Sequence, residues 1–152
     1  MITNFYTDLL LPIIQTACAG VPVNGQSVGY PTALHSPPWL CHIFDGIDTT
    51  ETAGHLTFVR YTTIHRLHIQ WQAFDVAEQT LITTANALVQ TLTARSKLSL
   101  FAIPSSGLYV GESFTLSPLT TGFVTVGAVQ YRVADIRSTL GIKVNSTYWS
   151  QL

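Results

Sequence analysis

Hydrophobic and polar residues alternate with a period of two along Arg60–Trp71. Side chains of a strand point to opposite faces in turn, so this alternation predicts a β-strand whose one face becomes apolar towards its end. β-branched and aromatic residues, which strands favour, enrich the stretch. We expect the strand to cover His55–Phe74. One predicted face holds Tyr61, Thr63, His65, Leu67, Ile69 and Trp71, and the other holds Thr62, Ile64, Arg66, His68 and Gln70.

The strand leads directly into a predicted helix from Asp75 to Ala94. Asp75 can accept hydrogen bonds from first-turn amides, and Glu78, three residues later, completes a capping-box pattern. A helix of this length measures roughly 30 Å, which is enough to lie across a sheet. Its apolar residues recur at steps of three and four and form one buried stripe, namely Ala77, Leu81, Ala85, Leu88 and Leu92.

The N-terminal part combines a second predicted helix with a long loop. Apolar residues recur every four positions in Thr3–Ala19, and Pro12 inside this stretch predicts a kink or a restart of the helix. Gly20 is placed to end it. Residues 21–38 are rich in Gly, Pro, Asn and Ser and predict an unusually long loop. Such a loop serves either as an arm that reaches a neighbouring subunit or as an ordinary surface loop.

Several short β elements are predicted in the remaining chain. They are a strand at Trp39–Phe44, a polar connection at 45–54, a strand or packing segment at Lys97–Ile103, a hairpin formed by Leu108–Ser117 and Gly122–Tyr131 with a bulge at Gly127, and a last strand at Arg132–Val144. The tail, residues 145–152, is expected to be loosely held unless Tyr148 and Trp149 dock on another surface.

This order of elements predicts the α+β fold class for a single domain, residues 1–152. We expect a mainly antiparallel sheet with a long helix packed on one face and an N-terminal helix. Leu67, Ile69 and Trp71 of the long strand would form the core together with the helix stripe.

Charged residues make up only 10% of the 152 residues, whereas hydrophobic residues make up 47%. Typical globular domains carry about 25% charged residues, so the usual charged surface is thin. Two explanations fit this deficit. Either much of the surface is buried in an oligomer, because interface cores are depleted in charge, or the many Thr, Ser, Gln and Asn residues supply the polar surface instead.

The charge pattern argues against several function classes. The formal net charge is −1 and no basic run is present, so the sequence lacks the electrostatic signature of tight nucleic-acid binding. The apolar run Leu9–Ile14 is far shorter than a membrane span of about 20 residues. No Lys or Arg precedes that run, which disfavours a signal peptide. Without such a signal, Cys18 and Cys41 are expected to be reduced, although a disulfide between them stays possible.

We find no set of residues that predicts catalysis, a metal site or a cofactor. His65 and His68 lie three positions apart on a predicted strand, so their side chains point to opposite faces and do not share a metal ion. His42 and Asp45 are separated in the same way. Asp45, Asp48 and Glu51 form a small acidic cluster whose spacing matches no cation-binding loop. We therefore expect a protein that is not an enzyme and needs no cofactor.

Large aromatic residues cluster in the C-terminal third of the chain. They are Tyr109, Phe114, Phe123, Tyr131, Tyr148 and Trp149. Aromatic side chains anchor protein interfaces, but they also fill ordinary cores, which is the simpler explanation for most of them.

In the order of its elements the chain resembles the tail terminator proteins of long-tailed bacteriophages, over about Leu56 to Val144. Four parts carry the resemblance: the N-terminal helix, the strand with Arg60 and Arg66 that reaches the capped helix, the strand at Gly107–Ser117, and the closing segment Gly127–Arg137, which reads GAVQYRVADIR.

The resemblance implies a structural virion protein, assembled in the host cytoplasm, that forms a ring, commonly of six copies. Such a ring sits on the last ring of tail-tube protein, ends tube polymerisation and joins the tail to the head connector. DNA passes through the central hole without sequence-specific binding. Two alternatives remain. The chain could be a head-completion adaptor or a tail-tube subunit, or it could be a small α+β enzyme or ligand-binding domain.

The long strand and the aromatic cluster supply the candidate residues for contacts between subunits. The polar candidates lie on the long strand, outside its apolar set, and the aromatic candidates come from the C-terminal third. The full set is Arg60, Arg66, His68, Tyr109, Phe114, Phe123 and Trp149.

Overall fold

The structure is a computed structural model, and it describes residues 4–34, 36–52, 56–71, 74–94 and 109–145. The predicted segment 97–103 and Trp149 lie outside these ranges. The described helices are α1 (Leu11–Ala17) and α2 (Phe74–Thr93), with a π-helical turn at Tyr6–Leu10 before α1 and a 3₁₀ turn at Cys18–Gly20 after it. The strands are β1 (Gly25–Val28), β2 (Trp39–Thr52), β3 (Leu56–Gln70), β4 (Tyr109–Leu116), β5 (Thr120–Val126) and β6 (Val129–Asn145).

The six strands of the described residues belong to one sheet with the order β1-β2-β3-β6-β4, and β5 pairs with β6 beside β4. The β1–β2 pair is parallel, and the other pairs are antiparallel. β6 is the longest of the described strands. β3 pairs along one side of it, and two different strands share its other side. Its first part pairs with β5, and its second part pairs with β4.

The predicted fold class, a mainly antiparallel sheet with a long helix packed on one face, is wrong. The structure is mostly a mixed sheet of six strands, 51% of it is strand, and the helices are minor elements. The main cause lies in the segment predicted as a long loop. Its residues Gly25–Val28 form β1 and pair in parallel with Trp39–His42. Gly, Pro and Asn around β1 produce a loop-like composition, and a strand of four residues is too short to show a period.

β2 is much longer than its predicted range, Trp39–Phe44. It continues to Thr52 through the polar stretch that the composition assigns to a connection. A β-bulge lies between Phe44 and Gly46, so Asp45 is an extra residue opposite β3. The bulge shifts the alternation by one position, which hides the strand period from a pattern based on steps of two.

The predicted hairpin between Leu108–Ser117 and Gly122–Tyr131 is also wrong. β4 and β5 run in the same direction and both pair with β6. The tight turn of the hairpin lies between β5 and β6 instead, where Gly127 adopts a φ of +63°. Glycine takes this left-handed conformation without steric cost, so Gly127 marks a turn and not a bulge.

The hydrophobic core lies on one face of the sheet, beneath the N-terminal helical turns and α2. It contains Leu40 of β2, Val59, Tyr61, Leu67 and Ile69 of β3, and Ile136, Leu140 and Ile142 of β6. The predicted helix stripe is buried in the same cluster, with Ala77, Leu81, Ala85, Leu88 and Leu92 each 7% exposed or less. Trp71 is not part of this core, because it follows the end of β3 and is 36% exposed.

The N-terminal helical stretch covers the β2 side of the same face. The predicted restart of the helix coincides with a change from a π turn to α1 next to Pro12. Phe5 and Tyr6 stack on Tyr61 of β3, with ring centroids 5.3 and 5.8 Å apart. The hydroxyl groups of Tyr6 and Thr63 also share a hydrogen bond of 2.9 Å. These contacts fix the helical stretch against β3.

Candidate functional site

Among the described residues, β1 covers only a short part of the outer edge of β2. β1 covers only Trp39–His42, whereas β2 continues to Thr52. Beyond His42 the outer edge has no strand partner among the residues that the structure describes. An uncovered strand edge presents backbone N–H and C=O groups that can pair with another chain.

The opposite edge of the sheet is formed by β4 and β5. Both strands pair with β6 on one side, and within the described ranges neither has a second partner. Between them, Ser117 stays attached to β6, because its backbone N–H donates to the carbonyl of Arg137 and its hydroxyl accepts from the N–H of Arg137. The two strands therefore form one interrupted row along β6.

An apolar groove borders the open edge of β2 on the core side. Its volume is about 560 Å³. Phe44 and Ile47 of β2 line it and are 50% and 47% exposed. The other lining residues are Asn4, Phe5, Tyr6, Thr7, Leu11, Val28 and Tyr61. Exposed apolar surface next to an open strand edge is characteristic of an interaction site.

Two acidic residues on the open edge have a cationic partner within the subunit. Asp48 lies 3.6 Å from Arg60 of the neighbouring strand, and both side chains are exposed. Asp45, the extra residue of the bulge, accepts a hydrogen bond of 3.1 Å from Nε of Arg137 on β6. Because both carboxylates already have a cationic partner, the edge does not repel a neighbouring chain by bare negative charge.

A continuous chain of buried and partly buried hydrogen bonds crosses the sheet on the core face. Nε2 of Gln26 donates to the carbonyl of Gln15 over 3.0 Å, so its Oε1 faces His42 Nε2 at 2.7 Å. His42 Nδ1 lies 2.8 Å from His65 Nδ1, and His65 Nε2 lies 2.6 Å from the hydroxyl of Ser138. The chain thus connects the N-terminal helix, β1, β2, β3 and β6.

The chemistry of these groups fixes the tautomers of both histidines. Gln26 Oε1 can only accept, so His42 Nε2 carries a hydrogen and donates to it. A neutral imidazole has one N–H, so His42 Nδ1 is an acceptor and His65 Nδ1 must be the donor. His65 Nε2 then accepts from the Ser138 hydroxyl. Every hydrogen bond of the chain points in the same direction, from Ser138 towards Gln15.

Burial keeps these histidines neutral. His42 and His65 are fully buried. Burial disfavours the charged imidazolium and lowers the pKa of His42 to about 4. The pKa of His65 is lowered well below its usual value by burial and, secondly, by His42. Two neutral, fully hydrogen-bonded imidazoles inside a core hold the strands together, and they are poorly placed to act on a substrate.

The other face of the sheet carries an ion pair and a third buried histidine. Arg66 donates from Nε and Nη2 to the two carboxylate oxygens of Asp135 over 2.8 and 2.7 Å. Burial and, secondly, the positive charge of Arg66 lower the pKa of His68 to about 4. The ring of Tyr131 meets the His68 ring edge-on with centroids 6.1 Å apart. The Tyr131 hydroxyl donates to the carbonyl of Leu34, which ties the segment after β1 to this face.

The structure separates the predicted polar interface residues by exposure. Arg60 is exposed and paired with Asp48. Arg66 is mostly covered, with 19% of its side chain exposed, and its hydrogen bonds are used inside the subunit. His68 is 1% exposed and has no surface to offer. Of these three residues, Arg60 alone has a largely exposed side chain, and its charged group pairs with Asp48 at the surface.

The predicted aromatic interface residues also differ in position. Phe114 is 4% exposed and belongs to the hydrophobic core of the subunit. Tyr109 begins β4, where the structure describes its backbone pairing with Val144. Trp149 lies outside the described residues. Phe123 is 48% exposed on β5 and remains a candidate for contacts between subunits.

Phe123 belongs to a second exposed cluster at the end of the sheet. Its ring meets Trp71 edge-on, with centroids 5.0 Å apart, and the Arg132 guanidinium lies over it at 4.9 Å. Arg132 also forms an ion pair with Glu78 near the start of α2. Glu78 therefore contributes to tertiary packing as well as to the predicted helix start.

The residues that line the groove were missed as interaction candidates by sequence reasoning. Phe44 and Ile47 have the spacing of opposite strand faces, and only the bulge at Asp45 brings them to the same face. The usable signal was Ile47, a large apolar residue within the polar stretch that follows Phe44. The described residues contain no group of three or more His, Cys, Asp or Glu placed to hold a metal ion. Cys18 and Cys41 are both buried and form no disulfide.

No protein-family model matches the chain, and no curated protein matches it either. Within the described part of the chain, no helix has both the length and the apolar character needed to cross a membrane.

Proposed function

We propose that this chain is a structural virion protein of the tail-terminator type, which forms a ring at the head-proximal end of a phage tail tube. In this role the ring ends tube polymerisation, joins the tail to the head connector and lets DNA pass through its lumen without reading sequence. The proposal involves no catalysis and no cofactor, and it places the protein in the tail or neck of the virion.

The observation that carries the proposal is the pair of open edges on a single sheet. One edge, β2 beyond His42, is bordered by the apolar groove, and the other is formed by β4 and β5. A subunit with two different exposed edges is suited to heterologous contacts, which generate rings when the rotation closes. The low content of charged residues, 10%, agrees with a surface that is largely covered after assembly.

Two alternatives of the same class share these features. A head-completion adaptor would bind the connector without binding tube ends. A tail-tube subunit would polymerise without limit, because each new ring would present a surface for the next. A terminator ring is expected to stop at one ring per tube end.

A ligand-binding domain is the alternative that a specific observation favours. The groove volume of about 560 Å³ lies within the ordinary range of small-molecule sites. Its lining is mainly apolar and aromatic, so its ligand would be apolar. An enzyme is less well supported, because His42, His65 and His68 are buried and do not line this groove.

The test is electron microscopy of the purified protein mixed with purified tail tubes. We expect a ring that caps one end of each tube and prevents further addition of tube protein. A protein that stays monomeric and binds no tube end would contradict the proposal. Long tubes made of this chain alone would identify it as a tail-tube subunit.

A further inference from the structure

The two open edges of the sheet lie at the same level along the strands. Strand pairing defines rows of residues that run straight across the sheet, from β2 through β3 and β6 to β4. One row joins Ile47, Tyr61, Leu140 and Phe114, and the next joins Asp48, Arg60, Gly141 and Ser113. Further rows end in Gly46 and Thr115, and in Phe44 and Leu116. The uncovered part of β2 therefore matches β4 row by row, whereas β1 and β5 occupy the other end of the sheet.

The strand directions of these edges are compatible with pairing. β2, β3, β6 and β4 are each antiparallel to the next, so β4 runs antiparallel to β2. If a second copy continues the sheet past β2, its β4 meets β2 in the antiparallel sense. Gly46, Ile47 and Asp48 lie between the bulge of β2 and that of β4, so the rows that they share with β4 are regular.

The faces of the two edges also match. Phe44 and Ile47 are half-exposed on the core face of β2. In the same rows, Leu116 and Phe114 lie on the core face of β4. Apolar residues would thus meet apolar residues and cover the groove. On the opposite face, Asp48 would meet Ser113, and both are exposed and polar. A slip of one residue would place apolar side chains against polar ones, so this register is specified.

We propose that copies of this chain associate head to tail, with the open edge of β2 in one copy pairing antiparallel with β4 of the next, Ile47 beside Phe114 and Asp48 beside Ser113. This inference rests on the proposed ring-forming function and names the surface that builds the ring. The contact joins two different surfaces, so it is heterologous and can repeat from copy to copy. Because the rows match without a shift along the strands, successive copies do not climb along the strand direction, which favours a closed ring over a helix.

The test is thiol cross-linking of the full chain carrying Asp48→Cys and Ser113→Cys together. Directly opposed strand residues have Cβ atoms about 5 Å apart, within reach of a short cross-linker. We expect a ladder of covalent oligomers that ends at the ring size. Cys18 and Cys41 are buried and provide an unreactive background. The matched control combines Asp48→Cys with Thr125→Cys on β5, which lies roughly 35 Å away along the strands and should give no ladder.

The possible outcomes separate this inference from the proposed function. A ladder in the Asp48/Ser113 pair alone supports the edge contact. Rings that form on tube ends without any such cross-link overturn the edge contact and leave the ring-forming function standing. Covalent dimers from Asp48→Cys alone would show a symmetric β2–β2 contact and would also overturn it. A chain that gives neither rings nor cross-links contradicts both proposals.

Discussion

His65 Nδ1 donates a hydrogen bond to His42 Nδ1 across 2.8 Å, and neither imidazole has access to solvent. Direct bonding between two histidine side chains requires complementary tautomers, and the flanking groups supply them. Gln26 accepts at one end, and Ser138 donates at the other. The two histidines are cross-strand partners on β2 and β3, so their hydrogen bond reinforces the register of this strand pair.

Removal of the donor at the end of this chain should destabilise the fold. In Ser138→Ala, His65 Nε2 loses its partner inside the core, and an unsatisfied buried acceptor costs about 1–3 kcal/mol. We expect a decrease of that size in the free energy of unfolding, measured by urea denaturation. Ser113→Ala is the matched control, because Ser113 is exposed on β4. Equal stability of the two variants would show that this chain of hydrogen bonds contributes little to the stability of the fold.

Stability should decrease as the pH falls from neutral towards 4. The pKa values of His42 and His68 are about 4 in the folded state, against about 6.5 in the unfolded chain. Between these values the unfolded state binds more protons, so the stabilisation is complete above pH 6.5 and is lost progressively below it. At 1.36 kcal/mol per pH unit, each histidine lowers the free energy of unfolding by about 2 kcal/mol between neutral pH and pH 5.

The measurement for this pH effect is urea unfolding at a series of pH values from 7.5 to 4.5. His68→Phe is the comparison variant, because it removes one titrating group and keeps an aromatic ring beside Tyr131. It should show a shallower fall in stability with decreasing pH than the parent chain. Parallel curves for the two proteins would contradict the assignment of His68 as a buried neutral group.

The Arg66–Asp135 pair should contribute to folding more than to contacts between subunits. Arg66→Ala leaves the partly buried Asp135 without its two hydrogen-bond donors. A hydrogen bond to a charged group contributes about 1.5–3 kcal/mol to stability. We expect reduced thermal stability but retained self-association at temperatures where the variant is folded. Arg60→Ala, which removes an exposed pair, should leave stability nearly unchanged. If Arg66→Glu assembles like the parent chain, the prediction that Arg66 contacts a neighbouring subunit is wrong.

The local elements that carry a strong pattern were predictable, while the sheet that combines them was not. The alternation in Arg60–Trp71 and the apolar stripe from Ala77 to Leu92 correspond to β3 and α2 within a few residues. β1 is too short to display a period and depends on its pairing with β2, which is a contact distant in sequence. The length of β2 was hidden by a bulge that reverses the alternation at Asp45.

The candidate site was less predictable than the fold, for a related physical reason. Exposure of Phe44 and Ile47 depends on which strand edge remains uncovered, and that property belongs to the topology of the whole sheet. Burial of His68 and Phe114 likewise depends on what packs against them, since strand position alone allows either outcome. The low charge content indicated an interaction surface without locating it.

A single charge in the groove should prevent self-association without unfolding the subunit. Ile47 is 47% exposed on the free subunit, so Ile47→Lys can keep its amine in solvent and should cost little stability. In the proposed contact the same lysine would be buried against the apolar side chain of Phe114, and an unpaired buried charge is strongly unfavourable. We expect at least a tenfold weaker association by sedimentation velocity, together with an unchanged unfolding transition. Thr125→Lys on β5 is the matched control, because it adds the same charge to an exposed strand position outside the proposed contact. Normal rings from Ile47→Lys would exclude the groove from the interface.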